Sequence, residues 1–413
     1  MFKSLDLAIL VCIVGLWACC HTKSWKFNKS ELPFIVLVYL AFVPYRGYIA
    51  GNMPYSDMII DVLLIFEVLC IFLRERIRLC SNYIIWFVGF FVAAACYAIN
   101  TRGVYGIFGI QELRFYFGNL LLITVITSKV RGEQGICEII NIFIKNSVLI
   151  SAIDLCSYLI FKYNVIADVI SNRNFVSIYC FLGFVSIVYK YRKFWNRKYL
   201  VASSIVLSDI LLMRSTSVFM ALILLLGVWG IRKLSVATNG TYKLIIFAFV
   251  CIVVGTIYLT VAPDSMNNKL INTVQSIRSS KDYTRTLIWD EALEISKNNL
   301  IYGIGPDNFR DSRTPYSFPT HNDYLKILVE TGLIGLFTFL IFISKSFYDL
   351  WRIEDNRIKR YYFCGMVGLL IFILFHGYIN YTPFWIVFSI PFWHRNIVQN
   401  NNITNNTEKK YLT

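Results

Sequence analysis

Charge is scarce in this sequence. Asp, Glu, Lys and Arg make up 16% of its 413 residues, against about 25% in soluble globular chains. Too little charge remains to solvate a surface of ordinary size. Metal motifs are missing as well. The eleven cysteines contain no Cys-x-x-Cys and no spacing that suits zinc. Cys12, Cys70, Cys96, Cys156, Cys180, Cys251 and Cys364 sit inside apolar runs, where a thiol acts as a small hydrophobe. There is no G-x-x-x-x-G-K-S/T loop, so a P-loop nucleotide site is excluded. The basic excess of +15 comes without a basic patch interleaved with aromatics outside the likely loops, which argues against nucleic acid. No Arg-rich voltage helix and no matched pair of broken apolar segments occurs, so a transporter is a distant alternative. No metal and no cofactor is expected.

Apolar residues make up 57% of the chain and recur in long runs. A run of about 20 apolar residues spans a bilayer as a helix. Lipid offers no partner for backbone polar groups, so repeated runs imply an all-α helical bundle. The expected fold is a polytopic membrane bundle of 12–13 helices, near 5–20, 32–46, 57–73, 83–99, 113–127, 136–161, 175–190, 199–213, 217–231, 244–262, 323–344, 361–377 and 382–394. The amino end resembles a signal sequence in length, but the lysines that follow it suit a retained first helix. The segments 21–31, 74–80, 129–138, 190–198, 232–243, 345–360 and 395–413 hold 24 of the 40 Lys and Arg. They alternate with loops poor in both, which is the positive-inside pattern. The chain divides into an N-terminal bundle (1–262), a large outer loop (263–322), C-terminal membrane helices (323–394) and a polar tail (395–413) expected to be disordered.

The loop 263–322 is the one long non-membrane segment, and loops of that length are usually functional or disordered. Within it, "KDYTRTLIWDEALEISKNN" places Leu287, Ile288, Ala292 and Ile295 at helical spacing with acids opposite. The pattern predicts an amphipathic helix that starts near Asp282 and stops at Asn298–Asn299, lying on the membrane or over a cavity. Seven Lys and Arg balance seven Asp and Glu there. Arginines also gather on the outer side, against the topology rule. Arg214 sits in the tight turn "MRSTS", Arg173 in "SNRNF", and Arg102 and Arg114 in and after a short loop. Arg278, Arg285, Arg310 and Arg313 lie in the large loop. Guanidinium groups stay charged and bind phosphate bidentately.

Just before the next apolar run comes "PTHNDYLKILVETGLIG". Pro319 stops any preceding helix, and Asn322 or Asp323 can cap the next one. His321 is thereby fixed at the rim, and imidazole is suited to general-base work near neutral pH. Gly332 and Gly335 strip one helix face for close packing. "GIGPDNF" at 303–309 reads as a turn through Gly303 and Gly305 rather than a nucleotide loop. Asp61, Glu67, Lys145, Asp154, Asp209, Lys326, Glu330 and His376 fall in or near spans. Lys326 and Glu330 are spaced to pair on one face.

Taken together these residues resemble the O-antigen polymerase and O-antigen ligase superfamily of bacterial inner-membrane glycosyltransferases. His321-Asn322, nine residues, then Gly332-x-x-Gly335 is similar to one motif of that group. "RTLIWDEALEISKNNLIYGIGPDNF" is similar to its R-x-x-x-W-x-x-A-L stretch running into a G-x-G-x-x-x-F turn. "MRSTS" is similar to its S-R turn, with Met213 where serine is usual. The strong likeness covers 280–345, and a weaker one covers 205–232.

The resemblance implies a metal-independent, inverting transferase. Its donor would be an undecaprenyl-diphosphate-linked glycan, taken at the periplasmic face. His321 would activate the acceptor hydroxyl, and Arg214 and Arg285 would neutralise the diphosphate. Asn322, Arg173, Arg310 and Arg313 would bind substrate. Gly303, Gly305, Gly332 and Gly335 would be structural. Expected partners are the lipid-linked oligosaccharide and membrane lipid, with a chain-length regulator allowed. No core-oligosaccharide site is visible, which favours a polymerase. A ligase acting on lipid A–core is the alternative.

Overall fold

The computed structural model describes residues 32, 33, 36, 40, 55–74, 77–101, 107–162, 164, 166, 173–194, 196–213, 215, 217–223, 225, 282–310, 320–377, 379 and 381–411. Of the expected spans, 5–20 and 244–262 lie outside these residues, 32–46 does so largely and 217–231 in part.

The described residues are helical and contain no strand. In chain order the helices are α1 (Tyr55–Arg74), α2 (Ser81–Thr101), α3 (Ile107–Lys129), α4 (Glu133–Phe161), α5 (Arg173–Phe194), α6 (Arg197–Met213), α7 (Asp282–Asn298), α8 (Asp323–Trp351), α9 (Asn356–Ile373) and α10 (Thr382–Tyr411). A 3-10 turn at Asn308–Arg310 lies between α7 and α8. Among the described residues, α4, α8 and the stretch Ser81–Ile99 of α2 are long and apolar enough to cross a membrane. The other helices are shorter or carry more polar residues.

Burial runs opposite to that of a soluble protein. Asn82, Ser147, Ser151, Asp154, Asp209 and Asp349 are all completely buried. Meanwhile Phe72, Leu73, Phe337 and Trp351 point outward, each at least 66% exposed. Outward apolar side chains on this scale need a nonpolar surrounding. The fold is a helical bundle of membrane type.

The core lies where α2, α3, α8 and α10 meet. Trp86 stacks on Trp385 with ring centroids 5.6 Å apart. Tyr83 meets Trp385 edge-on at 5.0 Å, and Phe339 meets Trp86 at 5.3 Å. The Trp86 indole nitrogen has no hydrogen-bond partner, but other buried polar atoms of this core do, as burial demands. The Tyr83 hydroxyl donates to the Tyr116 carbonyl (2.9 Å), and the Trp393 indole donates to the Thr127 hydroxyl (2.8 Å).

Several charges inside the bundle are paired, in two cases across helices, whereas buried Asp209 has no hydrogen bond to either carboxylate oxygen. Arg114 meets Asp61 at 2.6 Å, so one of the outer arginines is engaged by one of the intramembrane acids. Asp349 accepts from Asn82 Nδ2 at 2.8 Å and from Arg395, tying α2, α8 and α10 together. Lys326 and Glu330 are 3.9 Å apart, the pair their spacing predicts. The Asp154 carboxylate accepts from the Ile166 amide at 2.6 Å.

The polar tail differs from expectation. α10 continues through Tyr411 instead of ending near 394. Once a helix is nucleated on a packed segment, each further residue adds a hydrogen bond without a new nucleus.

Candidate functional site

α7 is the amphipathic helix of the large loop, and it packs on α8. Ile288 and Ala292 are buried against Val329 and Phe309, with Trp289, Ile295, Ile304 and Leu325 around them. The face is the one its sequence spacing predicts. That face seats on a protein helix. On its other side, burial and neighbouring Glu294 push the Glu291 carboxyl up from its ordinary range.

The Gly-rich turn after α7 inserts its backbone into a break in α8. Gly332 lies at φ 64°, ψ −161°, inside the helix but not helical. A regular helix would bond the amides of residues 333 and 334 to the carbonyls of 329 and 330. Here the Leu333 amide donates to the Leu300 carbonyl (2.8 Å) and that of Ile334 to the Ile301 carbonyl (3.2 Å). In return the Ile304 amide donates to the Val329 carbonyl and the Gly305 amide to the Glu330 carbonyl, both at 2.9 Å. The turn replaces the two bonds that the break removes. Glycine is required at the contact, because a Cβ on Gly332 would stand 2.3 Å from the Ile301 carbonyl oxygen. Gly303 meets the Glu330 backbone as closely. The expected role of Gly-x-x-Gly, a seat for a neighbouring helix, thus differs from what Gly332 does. Gly335 lies one turn on, against the Thr331 side chain.

His321 stands at the head of α8 with φ 50°. Positive φ is uncommon outside glycine, though His is enriched there. Its neighbours are all tied down. The Trp289 indole donates to the Thr320 carbonyl at 2.8 Å. Asn322 caps α8 by accepting from the Leu325 amide at 3.1 Å. Asp323 is fully buried and accepts from the Ile379 amide at 2.6 Å. The Trp385 indole holds the Ile379 carbonyl at 2.6 Å. The rim segment 320–323 is thus fastened both to α7 and to the α9–α10 loop. Asn322→Ala is expected to cost about 1 kcal/mol through the lost cap, read as a small drop in thermal midpoint in detergent.

A cavity of about 330 Å³ opens beside this segment, lined by Trp289, Leu293, Asn322, Tyr324, Leu325, Leu328 and Leu336. Its wall is mostly apolar, with Asn322, Trp289 and Tyr324 as the lining residues that carry polar atoms.

The expected site residues fall into several groups. Gly303, Gly305, Gly332 and Gly335 lie at the break in α8, whereas His321 and Asn322 lie at its head, about three turns away. The backbone of Arg285 is in the first turn of α7, one turn before Trp289, and that of Arg310 ends the 3-10 turn. The side chains of Arg285 and Arg310, and Arg214 and Arg313 altogether, lie outside the described residues. Arg173 begins α5, and two contacts relate its surroundings to the rim. The Ser215 hydroxyl donates to Asn174 Oδ1 at 3.1 Å, tying the chain neighbour of Arg214 to that of Arg173. Phe175 packs on Tyr381 at 5.2 Å, in the loop that also carries Ile379. Sequence reading missed Thr320 and the anchoring of Asp323. Trp289 stood in the quoted motif without a role.

Residues 200–340 match the model of the family described as O-Antigen ligase. No curated protein matches the chain. The matched segment contains α7, the Gly-rich turn, His321 and the broken part of α8. That match, over 141 of the 413 residues, supports a likeness to the O-antigen polymerase and ligase superfamily.

Proposed function

We propose that this chain is an O-antigen-type polymerase. It would transfer a glycan from undecaprenyl diphosphate to a sugar hydroxyl of a second lipid-linked repeat unit. The observation that carries the reading is His321, held at positive φ between two anchored neighbours beside an apolar cavity. A mostly apolar wall suits a polyprenyl chain, and a histidine next in the chain to the lining residue Asn322 suits a hydroxyl.

In the proposed step the acceptor O–H gives its proton to the His321 imidazole. The oxygen forms a bond to the anomeric carbon from the face opposite the leaving group, so the configuration inverts. The carbon–oxygen bond to the diphosphate breaks, and undecaprenyl diphosphate leaves with the electron pair. Arg285 and Arg214 would take up the charge that develops on it, the work a divalent metal performs in other transferases. Asn322, Arg173, Arg310 and Arg313 would orient the sugars and phosphates. The site would face the periplasm from the inner membrane.

A ligase reading is favoured by the description of the matching family. It keeps the same donor chemistry and changes only the acceptor, to lipid A–core. Gene deletion followed by gel profiling separates the two. Loss of a polymerase leaves core bearing a single repeat. Loss of a ligase leaves bare core while lipid-linked polymer accumulates. The second profile would overturn the polymerase assignment.

A further inference from the structure

His321 has two flanking peptide planes; a hydrogen bond of ordinary length holds the first, and a long one meets the second. The first plane contains the Thr320 carbonyl and the His321 amide. Its orientation sets φ of His321, and the Trp289 indole holds its oxygen at 2.8 Å. The second plane contains the His321 carbonyl and the Asn322 amide, and its orientation sets ψ. That amide points at the Thr320 hydroxyl oxygen, at 3.5 Å. The same hydroxyl donates onward to the Asn322 carbonyl at 3.0 Å. Thr320 is only 3% exposed, so water does not compete for these groups. A non-glycine residue at positive φ persists only where its surroundings over-determine it.

We infer that Trp289 and Thr320 are positioning residues that set the direction of the His321 side chain. The inference rests on the proposed role of His321 as base. Trp289 has a second consequence. Arg285 lies one helical turn before it on α7, so the indole bond also fixes where the start of α7 stands relative to His321. The cation proposed for the diphosphate and the base proposed for the hydroxyl are held in register by one side chain. Trp289 itself touches neither reacting group in this scheme.

The test uses the full chain reconstituted in lipid vesicles, with an undecaprenyl-diphosphate-linked repeat unit as donor and acceptor. Trp289→Phe keeps a large ring and removes the N–H donor. Thr320→Val keeps the shape and removes the hydroxyl, and Thr320→Ser restores it. Displacing a reacting group by about 1 Å costs about 10²-fold in rate. The expected result is a kcat fall of that order for Trp289→Phe and Thr320→Val. KM should stay within about twofold of wild type, the thermal midpoint should hold, and Thr320→Ser should recover most of the rate. A wild-type kcat in Trp289→Phe and Thr320→Val would overturn the inference, as would losses that track the thermal midpoint in both. His321→Ala in the same assay separates the two claims. If it is inactive while Trp289→Phe and Thr320→Val are normal, only the positioning claim fails. If His321→Ala is itself active, both claims fail.

Discussion

Gly332→Ala is expected to leave almost no folded protein in the membrane. Three costs coincide at this residue. Its φ and ψ, 64° and −161°, lie in a region that is essentially reserved for glycine. The added Cβ would stand 2.3 Å from a backbone oxygen, and backbone cannot rotate out of the way as a side-chain tip can. Relief by moving the turn would break the reciprocal hydrogen bonds between 300–305 and 329–334. Strain and overpacking together amount to roughly 2–6 kcal/mol, a large share of the stability of any domain. Size-exclusion profiles of detergent extracts measure the folded fraction. Gly365→Ala is the matched control, since its Cβ would sit at an ordinary 3.7 Å from Val387. A Gly332→Ala protein as abundant and monodisperse as the control would contradict the role given to the break.

His321→Asn is expected to abolish glycan transfer while the protein stays folded. Asparagine is the better probe than alanine here, because it too tolerates positive φ. It therefore keeps the backbone that the clamp holds and removes the imidazole. Loss of a general base lowers rate by about 10²- to 10⁴-fold. The product would be read as surface glycan on silver-stained gels, and the protein level by immunoblot of membranes. A full ladder from His321→Asn would remove His321 from the chemistry. Polymerase and ligase readings both predict the loss, so this experiment tests the site and the deletion profile tests the acceptor.

Much of the bundle could be read from hydropathy. The expected spans 83–99, 113–127 and 136–161 correspond to α2, α3 and α4, with ends shifted by a few residues. The amphipathic pattern gave α7 its limits and its buried face, because periodicity reports which side is covered. It could not report by what. Intramembrane acids announce themselves in sequence, yet their partners do not. Asp61 finds Arg114, 53 residues away, and Asp349, which the sequence reading places in the loop 345–360, finds Asn82 and Arg395 at separations of 267 and 46 residues. The break at Gly332 was hidden for a similar reason. A glycine in a helical pattern suits a packing face and a disrupted turn equally well. The deciding partner, the 300–305 backbone, lies some thirty residues earlier. The bond from Trp289 to Thr320 links two parts of one loop through a backbone carbonyl, which carries no side-chain signature at all.

The exchange of hydrogen bonds between the Gly-rich turn and α8 also bears on the order of assembly. A ribosome delivers residues 300–305 before 323–351. The turn is thus already made when α8 leaves the translocation machinery. Helix α8 cannot bury the carbonyls of Val329 and Glu330 alone, because its own amides at 333 and 334 face elsewhere. Its section at the break therefore waits on a segment that was made before it. Docking of the turn and completion of this helix become one event, and a turn kept away from the break would leave the helix unfinished.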